Sequence, residues 1–505
     1  GDWLSAFCLS EPNVGCDAGG QETTFTKTPE GDYIVNGEKK WATSGAISSL
    51  FTVMAREERP DGKGKISALV CHPEYEGVEI FQKNRSKCGI RGTWQARIRF
   101  RNVRIPKFNL LGQEGRGLQI ALSCLNYGRC TLSAGMLGGA RRVRDQATKW
   151  AMTRFQFGKP LSDQELVKQR IARMAAYDYA MDAVLYMTTG MLDRRDEDIQ
   201  VETALCKVFC SEFGWRVVND GLQIMGGEGY MTENEVERVF RDSRINLIVE
   251  GANEVMQSYI FGYGGKQLAE QMLGIKNALL KDADESIGAY LAKAVRNTFN
   301  ARIMKLAVPL GMEVYLGIRR KLPRITRCLP ELQPYADRLS AVVREQTYLF
   351  KVLSKKWDVR MLERQAVQAR LADAAILMHA WACTLARLDA DLRAHKPNGK
   401  DLEHERDKAA AVHFFDLAEL EIMERFRACF ENGDESMLKA ADAAMRFTDS
   451  LPNSQFVIPE RSPNAKGTGK AVRQEGIKQF PGDQGRSAGP SAPSAPSAAP
   501  AHAAG

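Results

Sequence analysis

One carboxylate and one run of glycines mark where this chain could do chemistry. Glu250 closes the stretch Arg241-Asp-Ser-Arg-Ile-Asn-Leu-Ile-Val-Glu250-Gly251-Ala-Asn-Glu254. It follows the apolar run Ile245–Val249, broken only by Asn246, and stands directly before Gly251. A carboxylate in apolar surroundings holds its proton more tightly, and so can take one from a substrate near neutral pH. Upstream, Gln223-Ile-Met-Gly226-Gly227-Glu-Gly229-Tyr breaks the helical spacing with three glycines. Without a Cβ they let backbone approach a ligand or turn with positive φ. The same residues also suit a helix cap followed by a surface turn, with Glu250 simply solvated.

These groups need a frame. Residues 1–107 read as an antiparallel β domain, with Asn36-Gly37 signalling a hairpin inside Asp32–Trp41. Ser48–Arg56, Lys65–His72, Val78–Phe81 and Gln95–Val103 read as further strands. Arg97, Arg99 and Arg101 alternate with Ile98, Phe100 and Asn102, one face toward core and one toward solvent, and Pro106 ends the run. After a glycine-rich loop at Gly112–Gly117, residues 118–137, 140–154, 163–194 and 200–225 read as helices, with a turn at Phe157-Gly158-Lys159-Pro160 and a last helix from about Ala252 to Gly262. Long helices on short connections predict an antiparallel bundle over 108–263. Residues 264–285 read as a connector and 286–450 as an additional helical domain. There Leu371, Ala374, Met378, Ala382 and Leu385 form one apolar stripe. Pro309, Pro323, Pro330, Pro334 and Pro397-Asn398-Gly399 mark its helix ends. From 451 to 505 Pro, Ala, Ser and Gly dominate, and such a tail buries too little apolar area to offset its entropy, so it reads as disordered. The fold class is α+β, mainly α.

The net charge of +8 over 505 residues suits ligands carrying phosphates and does not point to nucleic acid. The eleven cysteines are scattered and include no zinc-type spacing, which favours free thiols in a reducing compartment. Arg319, Arg320, Lys321, Arg324 and Arg327 form a basic cluster, read either as a solvated helix end or as a contact for anionic lipid headgroups. The chain opens at Gly1 in mid-strand with no Met and reads as a fragment or processed form.

The segments around Gln223 and Glu250 resemble the closing part of the acyl-CoA dehydrogenase family, and five further stretches extend the resemblance in the family's order over residues 1–262. Phe7-Cys-Leu9-Ser10-Glu-Pro12 with Gly15-Cys16-Asp17 is similar to the strand and loop that line the flavin ring and the ligand's pantetheine arm. This implies FAD contacts from Phe7, Leu9 and Ser10, and a substrate contact from Cys16, where a thiol stands in place of the usual Ser hydroxyl. Trp41-Ala-Thr43 resembles the motif whose Trp packs beside the flavin and whose Thr bonds near its reactive nitrogen. Gly89-Ile-Arg91-Gly92-Thr93 matches a motif that serves structure as easily as ligand. Asn126-Tyr-Gly128-Arg129 aligns with the helix whose Arg lies near the substrate. Some relatives carry their base just before that Arg; here the position is Gly128, which leaves Glu250 as the matching candidate. Arg154-Phe-Gln156-Phe157 resembles the element that reaches the FAD of a neighbouring subunit, together with Gln223, Gly226 and Gly227. A guanidinium fork suits a pyrophosphate. Gly251 toward the substrate, and Ala252 (where Thr is usual) and Glu254 toward the cofactor, follow from the same match.

The resemblance implies α,β-dehydrogenation of a long or very-long-chain acyl-CoA to the trans-2-enoyl thioester, with electrons passed to electron-transfer flavoprotein. Residues 286–450 make the chain similar to the very-long-chain branch, whose extra helical domain is linked to homodimers and to membrane-surface contact. The family's N-terminal helical domain has no counterpart in the residues given. A bacterial cytoplasm or the mitochondrial matrix and inner-membrane surface would suit such a protein. A non-catalytic assembly protein and an acyl-CoA oxidase are the alternatives.

Overall fold

The computed structural model describes residues 2–196, 198–281, 285–321, 324–394 and 402–451. Gly1–Asp434 forms one compact unit and Glu435–Gly505 a second. The tail read from 451 onward, Pro323 and Pro397–Gly399 lie outside the described residues, Leu451 excepted.

Eight strands form the sheet: β1 (Ser5–Cys8), β2 (Thr24–Lys27), β3 (Tyr33–Thr43), β4 (Leu50–Glu57), β5 (Ile66–Cys71), β6 (Val78–Gln82), β7 (Gln95–Ile105) and β8 (Leu110–Leu111). Their order is β6-β7-β3-β2-β4-β5-β8, with β1 also on β4. The sheet is not antiparallel throughout, because β1 and β2 both run parallel to β4. Phe25, Val35, Phe51, Val53, Ile98 and Phe100 bury its core face. On β7, Arg97 faces outward and pairs with Glu38, as the alternation predicts. The alternation fails at Asn102, which has φ +50°.

Asn36-Gly37 is not a hairpin turn. It lies inside the continuous strand β3, at a register shift between Val35 and Gly37. Asn36 Oδ1 accepts the Asn102 N–H at 2.8 Å, and Gly37 has φ +147°. A Cβ there would run into the Thr23 backbone. The residue pair that builds a tight turn also builds a bulge, and here the close approach of the chain before β2 selects the bulge.

The helices that follow are α1 (Gly117–Thr153), α2 (Glu165–Asp193), α3 (Gln200–Met225), α4 (Gly227–Tyr230), α5 (Glu235–Ser243) and α6 (Asn253–Leu279). α1 is one helix of 37 residues rather than two. Gly138-Gly139 costs only about 1 kcal/mol per residue against Ala, less than the packing that carries α1 across it, and Gly139 lies where a Cβ would press on Val239. Between α1 and α2, β9 (Phe155–Gln156) and β10 (Lys159–Pro160) form a hairpin, with Phe157 at φ +55° and Gly158 at φ +76° in the turn. α6 does not stop near Gly262 but runs to Leu279, through most of the segment read as a connector. Gly265 does not end it because its bare Cα is what lets Phe350 pack on the helix.

Beyond it lie α7 (Ile287–Thr298), α8 (Ala301–Leu316), α9 (Gln333–Trp357), α10 (Gln365–Ala394) and α11 (Leu402–Ala428); α12 (Asp434–Asp449) supplies the described helix of the second unit. α10 is long and apolar enough to cross a membrane, but most of it is buried. Its burial is not a single stripe. Trp381, Cys383 and Thr384 are covered along with Leu371, Ala374, Met378 and Leu385, whereas Ala382 is exposed. Helices pack on several of its sides, so a narrow face was the wrong expectation. Pro309 lies inside α8 rather than at its end. Glu313, one turn on, is buried and takes Lys351 Nζ at 2.5 Å, which ties the helix down past the proline. In the basic cluster, Arg319 pairs with Glu345, Arg320 with Glu313 and Arg324 with Asp337. Three of its five charges are therefore already answered within the chain.

Candidate active site

Glu250 sits in the loop between a short 3-10 turn (Arg244–Leu247) and α6. Its φ is +58° and that of Gly251 is +93°. A left-handed Glu costs about 1–3 kcal/mol and persists only where the surroundings impose it. The run before it does not form its shelter: Ile248 and Val249 are largely exposed. The cover includes α1, where a Cβ added at Gly128 would stand 2.9 Å from Glu250 Oε2. Oε2 is buried with no hydrogen-bond partner among the described residues. Burial pushes the carboxyl above its ordinary range, against the pull of Arg129 and Lys207.

Arg129, buried on α1, donates from Nε to Glu250 O at 3.3 Å and from Nη1 to Asn126 Oδ1 at 3.2 Å. Thr203 Oγ1 donates to the same Asn126 oxygen at 3.1 Å. Cys16 reaches over from the β region, its Sγ accepting the Ala252 N–H at 3.4 Å. Gly251 is hemmed in by Met256. Glu250, Gly251, Ala252, Arg129, Asn126 and Cys16 thus form one bonded neighbourhood. Lys207 on α3 also belongs to it, donating to Gly251 O at 2.7 Å and to Asn253 Oδ1 at 2.6 Å. Sequence reasoning missed it; its signal is a lone Lys inside the buried run Ala204–Ser211.

In the β region, Leu9 is buried and Phe7 half-exposed. Ser10 O accepts the Lys40 N–H at 2.8 Å. The loop after β1 is held from below by a buried Lys39, which donates to Leu9 O at 3.2 Å and to Glu11 Oε1 at 2.6 Å. Glu11 also takes the N–H groups of Glu22 and Thr23. Trp41 occupies a second bulge of β3 with φ +64° and is 47% exposed. Thr43 Oγ1 accepts from Gln95 Nε2 at 2.9 Å. The Gly89–Thr93 stretch is a joint between the two regions: Ile90 N–H donates to Asp242 Oδ1 at 2.6 Å and Arg241 Nη1 to Cys88 O at 3.1 Å.

The remaining candidates face outward. Arg154, Gln156 and Phe157 stand on the β9–β10 hairpin, Phe157 90% exposed at its tip. Gln223, Gly226 and Gly227 are exposed at the end of α3, where Gly226 has φ +60° and a Cβ on either glycine would meet nothing. Glu254 is exposed in the first turn of α6.

Two family models match in chain order: "Acyl-CoA dehydrogenase, middle domain" over residues 6–103 and "Acyl-CoA dehydrogenase, C-terminal domain" over residues 115–261. The probable acyl-CoA dehydrogenase FadE10 of Mycobacterium tuberculosis is 31% identical over 463 residues, 88% of this chain and 68% of that protein. The chain belongs to the acyl-CoA dehydrogenase family. The very long-chain specific acyl-CoA dehydrogenase of Bos taurus mitochondria is 32% identical over 415 residues, 80% of this chain, which spans 60% of the bovine protein's length. A crystal structure of an acyl-CoA dehydrogenase complexed with FAD, from Bacillus anthracis, superposes with a TM-score of 0.67 at 27% identity, covering 88% of this chain and 72% of that one.

The residues present fit a flavin dinucleotide of the kind this family uses. Trp41 offers a half-exposed flat ring on a braced bulge, with the cationic ends of Lys40 and Arg85 at 4.6 and 5.1 Å from its centroid, and Gly226-Gly227 an open backbone turn with no side chain in the way. At Cys16, where the family has Ser, the thiol is already engaged by the Ala252 N–H.

Proposed function

We propose that this acyl-CoA dehydrogenase family member oxidises long-chain fatty acyl-CoA thioesters at the α,β-positions with FAD. The observation that carries the reading is the Glu250 carboxylate: half-buried, held in a strained backbone conformation, and with its buried Oε2 left without a partner among the described residues. Such an oxygen is free to accept the α-proton of a thioester. Arg129 and Lys207 supply positive charge beside the carboxylate, while the carbonyl oxygens of Glu250 and Gly251 are tied down. Phe7, Leu9, Ser10, Trp41 and Thr43 would hold the flavin ring, and Arg154, Gln156, Phe157, Gln223, Gly226 and Gly227, with Ala252 and Glu254, the rest of the FAD. Bound FAD supplies the acceptor for the β-hydride. Cys16, Asn126, Arg129 and Gly251 would line the acyl-CoA path.

The outward-facing hairpin and glycine turn support a homodimer in which each is completed by the other subunit. The likeness to very long-chain specific enzymes supports a long acyl chain, and electron-transfer flavoprotein is the electron acceptor that fits. Anaerobic addition of palmitoyl-CoA should bleach the flavin band of the wild type. Glu250→Gln should keep the band and fail to bleach; bleaching at the normal rate would remove Glu250 as the base.

A further inference from the structure

Lys207 is fully buried on α3. Its two bonds land on the residues one and three places after Glu250. Asn253 is locked in turn, donating from Nδ2 to Ser211 Oγ at 3.0 Å and to Glu212 Oε1 at 2.7 Å. The clamp therefore grips the end of the segment whose consecutive left-handed residues aim the carboxylate. Packing alone does not require a charge here. A buried ammonium is expensive unless its charge is used, and the hydrogen bonds to Gly251 O and Asn253 Oδ1 could be made by a neutral donor.

We propose that Lys207 is a positioning residue for proton abstraction: its ammonium clamps the Gly251–Asn253 turn that aims Glu250 and lends positive charge to the Glu250 carboxylate. This rests on the reading of Glu250 as the base. The charged and titratable groups around the pair are Arg129 from α1, Glu212 from α3, Cys16 from the loop after β1, and Tyr259 from α6 beside Arg129. Burial and the neighbouring Arg129 push the Lys207 amine down to about 8, so at neutral pH it is still mostly charged. Its charge opposes the burial that raises the Glu250 carboxyl.

The test follows α-proton exchange in D2O with 3-thiapalmitoyl-CoA, whose β-sulfur cannot give up a hydride, so the proton step is read alone. Wild type, Lys207→Met and Lys207→Gln are compared by mass spectrometry across pH, with flavin content and circular dichroism checked for each. Both variants are expected to fold, keep flavin and show the acid limb of exchange moved up by about one pH unit, the scale of an opposite charge nearby. Lys207→Met should also lose about 10–100-fold in the plateau rate, as a misaimed base does. Lys207→Gln, whose amide can still donate to Gly251 O, should lose less. An unmoved acid limb and plateau in Lys207→Met overturns the proposal, and so does failure of both variants to fold, which would make Lys207 a folding residue only. A wild type that folds, binds flavin and the thioester but does not exchange would instead remove the base assignment itself.

Discussion

The Glu250 carboxylate lies against the bare Cα of Gly128. A Cβ added at 128 would stand 2.9 Å from both Cδ and Oε2 of Glu250, and 3.0 Å from Oε1. No side chain fits there without moving the carboxylate.

Gly128→Ala should therefore separate stability from activity. Within α1 the change favours helix by about 1 kcal/mol, while a shift of the base by about 1 Å costs on the order of 100-fold in turnover. The expected variant has an equal or higher Tm, normal flavin content and a much lower kcat. Turnover within twofold of wild type would show that the carboxylate has room to move aside.

The raised carboxyl of Glu250 has a linked effect on stability. Its proton is held more tightly in the folded chain than in the unfolded one, so ionising it costs stability as pH rises through the folded pKa, and that cost is absent below the ordinary carboxylate range. Glu250→Gly removes the buried charge and the left-handed strain together. It should stabilise the fold by about 1 kcal/mol at pH 8, with a smaller gain at pH 4, as read from urea denaturation at the two values. In the wild type, the acid limb of kcat/KM should lie above the ordinary carboxylate range, because only the ionised form accepts the proton. A gain that grew toward low pH would reverse the sign assigned to this group.

The joint between sheet and bundle gives a paired comparison. A Cβ at Gly89 would fall on the Arg241 carbonyl, backbone that cannot step aside, whereas Gly92 faces open space. Gly89→Ala should cost about 2–3 kcal/mol, the range of overpacking, and lower flavin retention by loosening the Ile90–Asp242 bond. Gly92→Ala should stay within about 0.5 kcal/mol of wild type. Thermal melts of both, with bound flavin followed by absorbance, decide it.

How far the sequence was legible depends on whether the deciding force was local. α3 begins at Gln200 and ends at Met225, the span the sequence predicts, because a long, largely buried apolar segment with a glycine stop carries its own boundary. Glycine elsewhere misled. Asn36-Gly37, Gly138-Gly139 and Gly264-Gly265 each look like breaks in isolation, and each is overruled by a partner far away in sequence: Thr23 at the first, Val239 at the second and Phe350 at the third. Glu250 was readable as a residue but not in its setting. The apolar run before it predicted its shelter, yet Ile248 and Val249 beside it are exposed and the cover includes α1, more than a hundred residues earlier. Lys207 and Glu11 escaped for a related reason. Their value lies in what they bond after folding, and a single charge in an apolar or turn segment does not name its partner.

α6 starts three residues after Glu250 and runs for 27 residues, about 40 Å. Near its start Gln257 Nε2 donates to Asp373 of α10 at 2.6 Å, and farther along Phe261 packs on Phe350 of α9 at 5.3 Å between ring centroids. The match to the C-terminal domain ends at residue 261, inside this helix. An expression boundary drawn there would saw through a shaft that follows the base by three residues and that α9 and α10 grip within its first three turns. For anyone trimming the gene, the additional helices are part of the machine frame, and a shortened protein should be cut beyond α11 rather than at the edge of the shared domain.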